Sequence, residues 1–383
     1  MKKRPRIGLI VETTFSAGRE ILRGISKYLV EHDPWSLFLG PIQLDQSLPR
    51  WLEKWNGDGI IARVSNAEVL HTIKNAGLPL VDVLGEIENT GIPLVEVNNR
   101  KVAELAFRHL SERGYRDFAF VGVTDYNWSI VREQTFQQLA QQADCQCRII
   151  RLGNRLSQTP WDVEQELLVD WLLNLPKPCG LMACNDGQGL QVLEACARAD
   201  ISVPEEVAVI GVDNDQLICD LSIPALSSID PGHFFMGYQA AETMSRMLAG
   251  ETVPELLQIE TMDCIVREST DIAAVNDPVL ANALAFIRQN ACHNITTQDI
   301  ANHVIVSVST LKRRFAAHST HSINRCILNA KLDRAMRLLR DTDLSIEQIA
   351  YLAGYTDATY FSTSFRKEIG NTPKDYRKLH RKS

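Results

Sequence analysis

The sequence predicts a two-lobed α/β body with doubly wound parallel sheets, followed by an all-α domain. From about residue 5 to residue 270, short apolar runs suited to buried parallel strands alternate with amphipathic helices. The alternation begins again near Asp117, so we expect two similar units of roughly a hundred residues each. After Pro278 only helical periodicity remains, and the charge changes sign.

The elements follow from this periodicity in chain order. In the first lobe we expect strands at 6–11, 35–39, 59–62, 79–84 and 94–97, and helices at 16–32, 48–55, 67–76 and 100–113. In the second lobe we expect strands at 117–122, 148–152, 180–184 and 207–211, and helices at 130–142, 163–173 and 188–199. A helix at 234–248 and one closing strand at 256–266 complete the body. The predicted lobes are 5–113 with 232–250, and 116–230 with 254–268, and a ligand cleft is expected between them.

Composition and charge narrow the class of protein. The chain has 383 residues, 45% hydrophobic and 23% charged, which is typical of a soluble protein of two or three domains. From Pro278 onward there are 16 Lys and Arg against 8 Asp and Glu, whereas the remainder has 24 against 39. A basic module on an acidic body is typical of a nucleic-acid-binding domain joined to another function.

Several classes are disfavoured by what the sequence lacks. No apolar run reaches the roughly 18–20 residues of a membrane span, and the apolar run after the basic N-terminus is too short for a signal peptide, so we expect a cytoplasmic protein. The nine cysteines are scattered and are expected to be reduced, with no metal or cofactor. The sequence contains no phosphate-binding glycine loop, zinc motif or nucleophile elbow, so it does not predict an enzyme.

Polar residues at or near the ends of the predicted strands are candidate ligand-binding groups, and their chemistry suits the hydroxyls of a sugar. Carboxylate, amide and guanidinium groups can each bond two neighbouring hydroxyls, and an aromatic ring can stack on the apolar face of a pyranose. Some candidates have simpler roles: Asn185 could cap a helix, Asp230 could form a turn, Arg19 could lie at the surface, and Trp128 could be packed in the core. The candidate ligand-binding residues are Arg19, Trp128, Arg132, Asn185, Asp213, Asn214 and Asp230.

The body resembles the LacI/GalR effector-binding domain and the related periplasmic sugar-binding proteins. The resemblance covers roughly residues 5–268 and includes the runs 57–61, 204–214 and 226–230, together with the pair Asn185-Asp186 and Arg132. It implies a periplasmic-binding-protein-like sensor in which Asp213 and Arg132 hold a sugar. We expect the first strand to begin by Ile7, and we therefore expect no counterpart of the N-terminal DNA-binding domain of those repressors.

The last third of the chain predicts two helix-turn-helix motifs. A polar linker at 271–278 precedes the DNA-binding domain at 279–383, which opens with a helix at 279–290. The first motif is expected at 296–318, a connecting helix at 323–340, and the second motif at 345–367. The expected DNA-binding residues lie on the polar faces of the two recognition helices: Ser309, Thr310, Lys312, Arg313, Arg314, Thr359, Tyr360, Ser362, Thr363, Arg366 and Lys367.

The second motif closely resembles the AraC-type regulators. The shared residues follow one order over more than thirty positions: Ala353, Gly354, Tyr355, Phe361, Phe365, Gly370, Thr372, Pro373, Tyr376 and Arg377. The first motif departs from that pattern, because Ile305 and Thr320 stand where the family has glycine. A β-branched residue in a left-handed conformation costs on the order of 1–2 kcal/mol, so we expect the second motif to be the better formed DNA reader.

A sugar sensor placed ahead of an AraC-type domain resembles the xylose-type regulators of enteric bacteria. Residues 277–278, 287–292 and 311–315 extend the likeness across the join. The resemblance implies a homodimer that binds promoter DNA and recruits RNA polymerase. Its ligand is expected to be D-xylose, with another pentose or a small polar ligand as the alternative. An enzyme tethered to DNA would need clustered metal ligands or paired catalytic carboxylates, and a constitutive architectural DNA binder would not need a two-lobed cleft.

Overall fold

The computed structural model describes residues 4–39, 55–75, 77–87, 89–153, 160–260, 263–271, 277–318 and 321–380. The chain forms two compact units, residues 1–274 and residues 275–383. Most of the helix expected at 48–55 lies outside the described residues.

The first sheet of the N-terminal unit has six parallel strands in the order β11-β5-β4-β3-β1-β2. Its strands are β1 (Arg6–Ile10), β2 (Ser36–Leu39), β3 (Gly59–Ala62), β4 (Leu80–Asp82), β5 (Leu94–Val97) and β11 (Leu256–Ile259). The helices that accompany this sheet are α1 (Ser16–Glu31), α2 (Ala67–Asn75) and α8 (His233–Leu248). Helices α1 and α8 approach so closely that a Cβ at Gly24 or Gly237 would overlap a backbone carbonyl oxygen of the other helix.

The second sheet also has six strands, in the order β12-β10-β9-β8-β6-β7. Its strands are β6 (Asp117–Val123), β7 (Gln146–Leu152), β8 (Cys179–Ala183), β9 (Val207–Val212), β10 (Ser227–Asp230) and β12 (Asp263–Ile265). All are parallel except β12, which pairs antiparallel with β10. The accompanying helices are α3 (Asn99–Glu112), α4 (Asn127–Gln142), α5 (Trp161–Leu173), α6 (Asp186–Arg198) and α7 (Gln216–Leu221).

The predicted division into lobes is wrong in two places. Helix α3 was expected in the first lobe, but its apolar face packs in one core with Phe118 and Phe136 of the second. The single closing strand at 256–266 is two strands, and β11 pairs with β5 of the first sheet while β12 joins the second. The chain therefore passes between the lobes near Asn98, near Pro231 and again between β11 and β12.

The C-terminal unit is entirely helical where it is described. Its helices are α9 (Pro278–Asn290), α10 (Thr297–His303), α11 (Val308–His318), α12 (Ile323–Asp341), α13 (Ile346–Leu352), α14 (Ala358–Ile369) and α15 (Pro373–His380). Helices α10 and α13 begin with the same capping box, formed by Thr296 with Asp299 and by Ser345 with Gln348. Separate apolar cores support the two halves, one around Leu311 and Phe315 and the other around Phe361 and Phe365.

Candidate ligand cleft and nucleic-acid interface

Charged residues that follow the strands of the first sheet lie where this lobe faces the second lobe. Glu12 lies two residues after β1 and is almost completely buried, and it forms an ion pair with Arg63, which directly follows β3. Burial lowers the pKa of Arg63, and the nearby carboxylates of Asp213 and Glu86 oppose that effect. Arg63 thus lies within the electrostatic reach of carboxylates from both lobes.

The second sheet contributes the opposite side. Asp213 follows β9, and its Oδ1 lies 3.1 Å from Nε2 of His233, which donates to it. Arg132 is only 3% exposed, and it donates to Oδ1 of Asn99 at 2.9 Å and to the carbonyl of Cys184 at 2.5 Å. Burial lowers the pKa of Arg132, and the charge of Asp213 raises it. The Arg132 guanidinium and the Asp213 carboxylate therefore interact electrostatically within the second lobe.

An aromatic pair lies beside Arg132. The Arg132 guanidinium stands 5.0 Å from the centre of the Trp128 ring, and Tyr126 stacks on Trp128 at 5.5 Å. Trp128 is partly buried in the core of the second lobe, so packing accounts for part of its surface. The ring holds the guanidinium in place by a cation–π contact.

The two lobes contact each other through loops at the cleft. The backbone N–H of Asn127 donates to Oε2 of Glu86 at 2.7 Å, and its side-chain amide donates to the carbonyl of Gly85 at 3.1 Å. Arg19 donates to Oδ2 of Asp215 at 3.3 Å and to the carbonyls of Thr13 and Thr14. Arg19 is therefore an exposed residue that bridges the lobes.

Two carboxylates of the first lobe have raised pKa values. Burial raises the pKa of Glu86 to about 7 and that of Asp82 to about 6. The Asp82 carboxylate accepts backbone N–H groups of Val64, Leu84 and Gly85, so it organises the loops after β3 and β4. Glu86 lies nearer the lobe contact and keeps one oxygen, Oε1, without a hydrogen-bond partner in the described part of the chain.

Three predicted ligand residues have their side chains engaged elsewhere. Asn185 accepts the backbone N–H of Gln188 and caps α6, and Asp230 accepts the N–H of Gly232 in a turn. Asn214 accepts a hydrogen bond of 2.9 Å from Arg267. Asp213 and Asn214 have positive φ, 105° and 47°, and their side chains bond different partners, so Asn214 stays a predicted ligand residue whose side-chain oxygen accepts from Arg267 in this structure.

Sequence reasoning missed Glu12, Arg63, Glu86 and His233. The first three each follow a strand of the first sheet. The prediction took polar residues after strands as ligand candidates in the second sheet only. His233 is the first residue of α8, and no pattern in the sequence connects it with Asp213. A search for every charged residue within four positions of a strand end would have found Glu12, Arg63 and Glu86.

The two expected recognition helices, α11 and α14, present polar faces. Their apolar faces are buried through Leu311, Phe315, Phe361 and Phe365. Thr310 and Ser362 are half-buried, and Ser362 donates to the carbonyl of Ala358, as Thr363 does to that of Thr359. The candidates that are exposed on these helices are Ser309, Lys312, Arg313, Thr359, Tyr360, Thr363, Arg366 and Lys367.

Arg314 does not fit the expectation that it is free for DNA. Its guanidinium pairs at 2.5 Å with Asp277, and that carboxylate also accepts the N–H groups at the start of α9. Arg314 therefore stabilises the junction of α9 and α11, whereas its neighbour Arg313 is exposed. Arg366 and Lys367 border a pocket that is also lined by Ser362 and Thr363 of α14 and by Thr372, which follows that helix.

The turns of the two motifs share a left-handed residue. Gly354 has φ of 78°, and Ile305 has φ of 54° at the equivalent point of the first motif. Ile305 is 90% exposed, so its strain is not offset by burial. The second expected departure, Thr320, lies outside the described residues.

Comparison with known proteins matches three segments of the chain to domain families. Residues 6–96 match the XylR N-terminal domain, residues 107–270 the periplasmic binding protein-like domain, and residues 300–379 a helix-turn-helix domain. None of the helices in the described ranges is both long and apolar enough to cross a membrane.

The similarity to whole proteins spans almost the entire chain. The xylose operon regulatory protein of Escherichia coli strain K12 is 32% identical over 99% of this chain and 98% of its own length. That of Haemophilus influenzae is 31% identical over 97% of this chain and 98% of its own. The solved structure of the xylose-binding transcription activator xylR is 31% identical, with a TM-score of 0.88 and complete coverage of both chains. In this chain the sensor domain precedes the helix-turn-helix domain, and the similarity to these relatives spans both. The chain therefore belongs to the xylose operon regulatory protein family of transcription regulators.

Proposed function

We propose that this chain is a D-xylose-dependent transcription activator whose sugar binds between the lobes. Asp213 and Arg132 contact sugar hydroxyls from the second lobe, and Arg63 and Glu86 contact them from the first. Groups of both charges suit a sugar, because each hydroxyl both donates and accepts hydrogen bonds. The xylose operon regulators and the xylose-binding activator are the relatives that suggest this sugar.

Unsatisfied polar atoms in this cluster are the observation that carries the proposal. Among the described residues, Nε of Arg63, Oε1 of Glu86 and Nδ1 of His233 are buried without a hydrogen-bond partner. A buried polar atom without a partner costs on the order of 1–3 kcal/mol. A polyhydroxylated ligand can supply those partners and gain affinity from both lobes at once.

Isothermal titration tests the ligand. We expect heat with D-xylose and much less with D-ribose or L-arabinose. Asp213→Asn should weaken binding at least tenfold, because it removes one charge-assisted hydrogen bond worth roughly 1.5–3 kcal/mol. Asp230→Asn is the matched control, because Asp230 also ends a strand but holds a turn. Heat with another pentose and none with D-xylose would overturn the sugar assignment.

The DNA-binding unit is proposed to read two successive major grooves. Helix α12 has 19 residues and separates α11 from α14. At 1.5 Å per residue it is about 28 Å long, close to the roughly 34 Å of one DNA turn. The exposed residues of α11 and α14 would contact bases and phosphates, with the second helix contributing more.

We also infer that the protein works in the cytoplasm as a homodimer that recruits RNA polymerase. Sugar must favour one arrangement of the subunits over another for the promoter to respond. Sedimentation of the full chain with and without D-xylose tests the dimer, and transcription with purified RNA polymerase tests recruitment. Sugar-independent transcription from a bound promoter would contradict the activation step.

A further inference from the structure

Lys331 lies at the middle of α12, between the two helix-turn-helix motifs. Its ammonium donates to the carbonyl of Gly354 at 2.7 Å and to Oδ1 of Asn294 at 3.2 Å. It also stands 5.5 Å from the centre of the Tyr355 ring. Gly354 forms the turn of the second motif, whereas Asn294 lies two residues before the first motif begins, so one side chain joins the second motif to the segment that leads into the first.

The backbone of the second motif also touches the segment that leads into the first motif. A Cβ on Gly354 would lie 2.6 Å from both the Cα and the carbonyl oxygen of Cys292, so glycine allows the close approach. Asn294 has φ of 57° and ends the short 3-10 turn that contains Cys292. Lys331 thus bonds residues on both sides of a direct backbone contact.

The surroundings of Lys331 distinguish it from a mobile surface lysine. Partial burial lowers its pKa, and its two acceptors and the Tyr355 ring compensate for part of the lost hydration. These contacts hold the Lys331 side chain in one position. A fixed side chain suits a structural connection between protein segments more than a contact with a DNA phosphate.

We infer that Lys331 is a positioning residue that fixes the rotation of the second recognition helix relative to the first, and so sets the spacing of the DNA segments that one chain reads. The inference rests on the proposed two-groove reading. Each motif packs on apolar residues of α12, and the Lys331 contacts join the second motif directly to the segment that leads into the first. Without those contacts, we expect the rotation of α14 relative to α11 to vary more while both helices remain folded.

The test uses the full-length protein and a duplex selected by it from a random-sequence pool. The two protected segments of that duplex are then moved apart or together by one base pair, which rotates one against the other by about 34–36°. The wild-type protein should lose at least about tenfold in affinity at either altered spacing, since one motif then misses its base edges. Lys331→Met should bind the best duplex less tightly and differ by less than about threefold among the three spacings.

A matched variant separates positioning from simple charge loss. Lys367→Met removes an exposed lysine of α14 and should weaken all three duplexes equally, with a salt slope lower by about one. Asn294→Ala, which removes one of the two acceptors, should flatten the spacing profile partly and guards against misfolding of the methionine variant. A Lys331→Met profile with the wild-type ratios would overturn the inference. If the wild-type protein selects only one protected segment, the two-groove reading itself fails.

Discussion

Replacing Ile305 by glycine should stabilise the DNA-binding unit. Ile305 is β-branched and has φ of 54°, a conformation that costs roughly 1–2 kcal/mol for such a residue. Glycine removes that cost but loses more chain entropy on folding, about 0.4–1 kcal/mol. Because Ile305 is 90% exposed, the substitution gives up little burial. The net gain is about 0.8 kcal/mol, or roughly 3–6 °C in Tm for a domain near 100 residues.

The distribution of tryptophan makes this gain measurable in the intact protein. All six tryptophans precede residue 172, so tryptophan fluorescence follows the sensor, whereas far-UV circular dichroism follows both units. Ile305→Gly should raise the midpoint temperature of the dichroism transition that belongs to the DNA-binding unit. The midpoint temperature of the fluorescence transition, which belongs to the sensor, should not change. Ile305→Asn should have the same sign, since asparagine tolerates this conformation.

The equivalent residue of the second motif provides the opposite control. Gly354→Ala places a Cβ 2.6 Å from backbone atoms of Cys292 at φ of 78°, and it should destabilise the same unit by about 2 kcal/mol or more. A lower midpoint temperature of the DNA-binding unit in Ile305→Gly would refute this prediction, as would an equal shift of the tryptophan transition.

Three further predictions concern charged groups. Arg314→Met should lower the stability of the DNA-binding unit and leave the salt slope of DNA binding unchanged, whereas Arg313→Met should lower the slope by about one; equal slopes would contradict this division. Because the raised pKa of Glu86, about 7, makes the native state hold its proton more tightly, sensor stability in urea should fall as pH rises from about 5 to 8, and Glu86→Gln should flatten that fall. Arg267→Met should retain the heat of D-xylose binding but lose most of the sugar-dependent change in DNA affinity, because Arg267 connects Asn214 to the segment leaving the sensor. An unchanged effect of D-xylose on DNA affinity would exclude that connection.

The sequence was sufficient for the elements but not for every assignment to a lobe. Apolar periodicity predicted the strands of both sheets because buried parallel strands are apolar on both faces. The same periodicity shows that α3 has one apolar face, but not which sheet that face covers. The error at 256–266 has a similar cause, since apolar residues on both sides of Glu260 predict strand without revealing that the two parts join different sheets.

Side-chain direction limits how far the site can be read from strand ends. In a strand, alternate residues face opposite sides, so a polar residue can be assigned to a face by counting. Asp213 and Asn214 follow β9 in two consecutive left-handed conformations, where that count no longer applies. One side chain bonds His233 near the cleft, and the next bonds Arg267 near the end of the sensor. The pair Asp213-Asn214, which predicts two ligand contacts, therefore supplies one candidate contact and one hydrogen bond within the sensor. Mutating each residue separately can distinguish an effect on sugar affinity from an effect on the response to sugar.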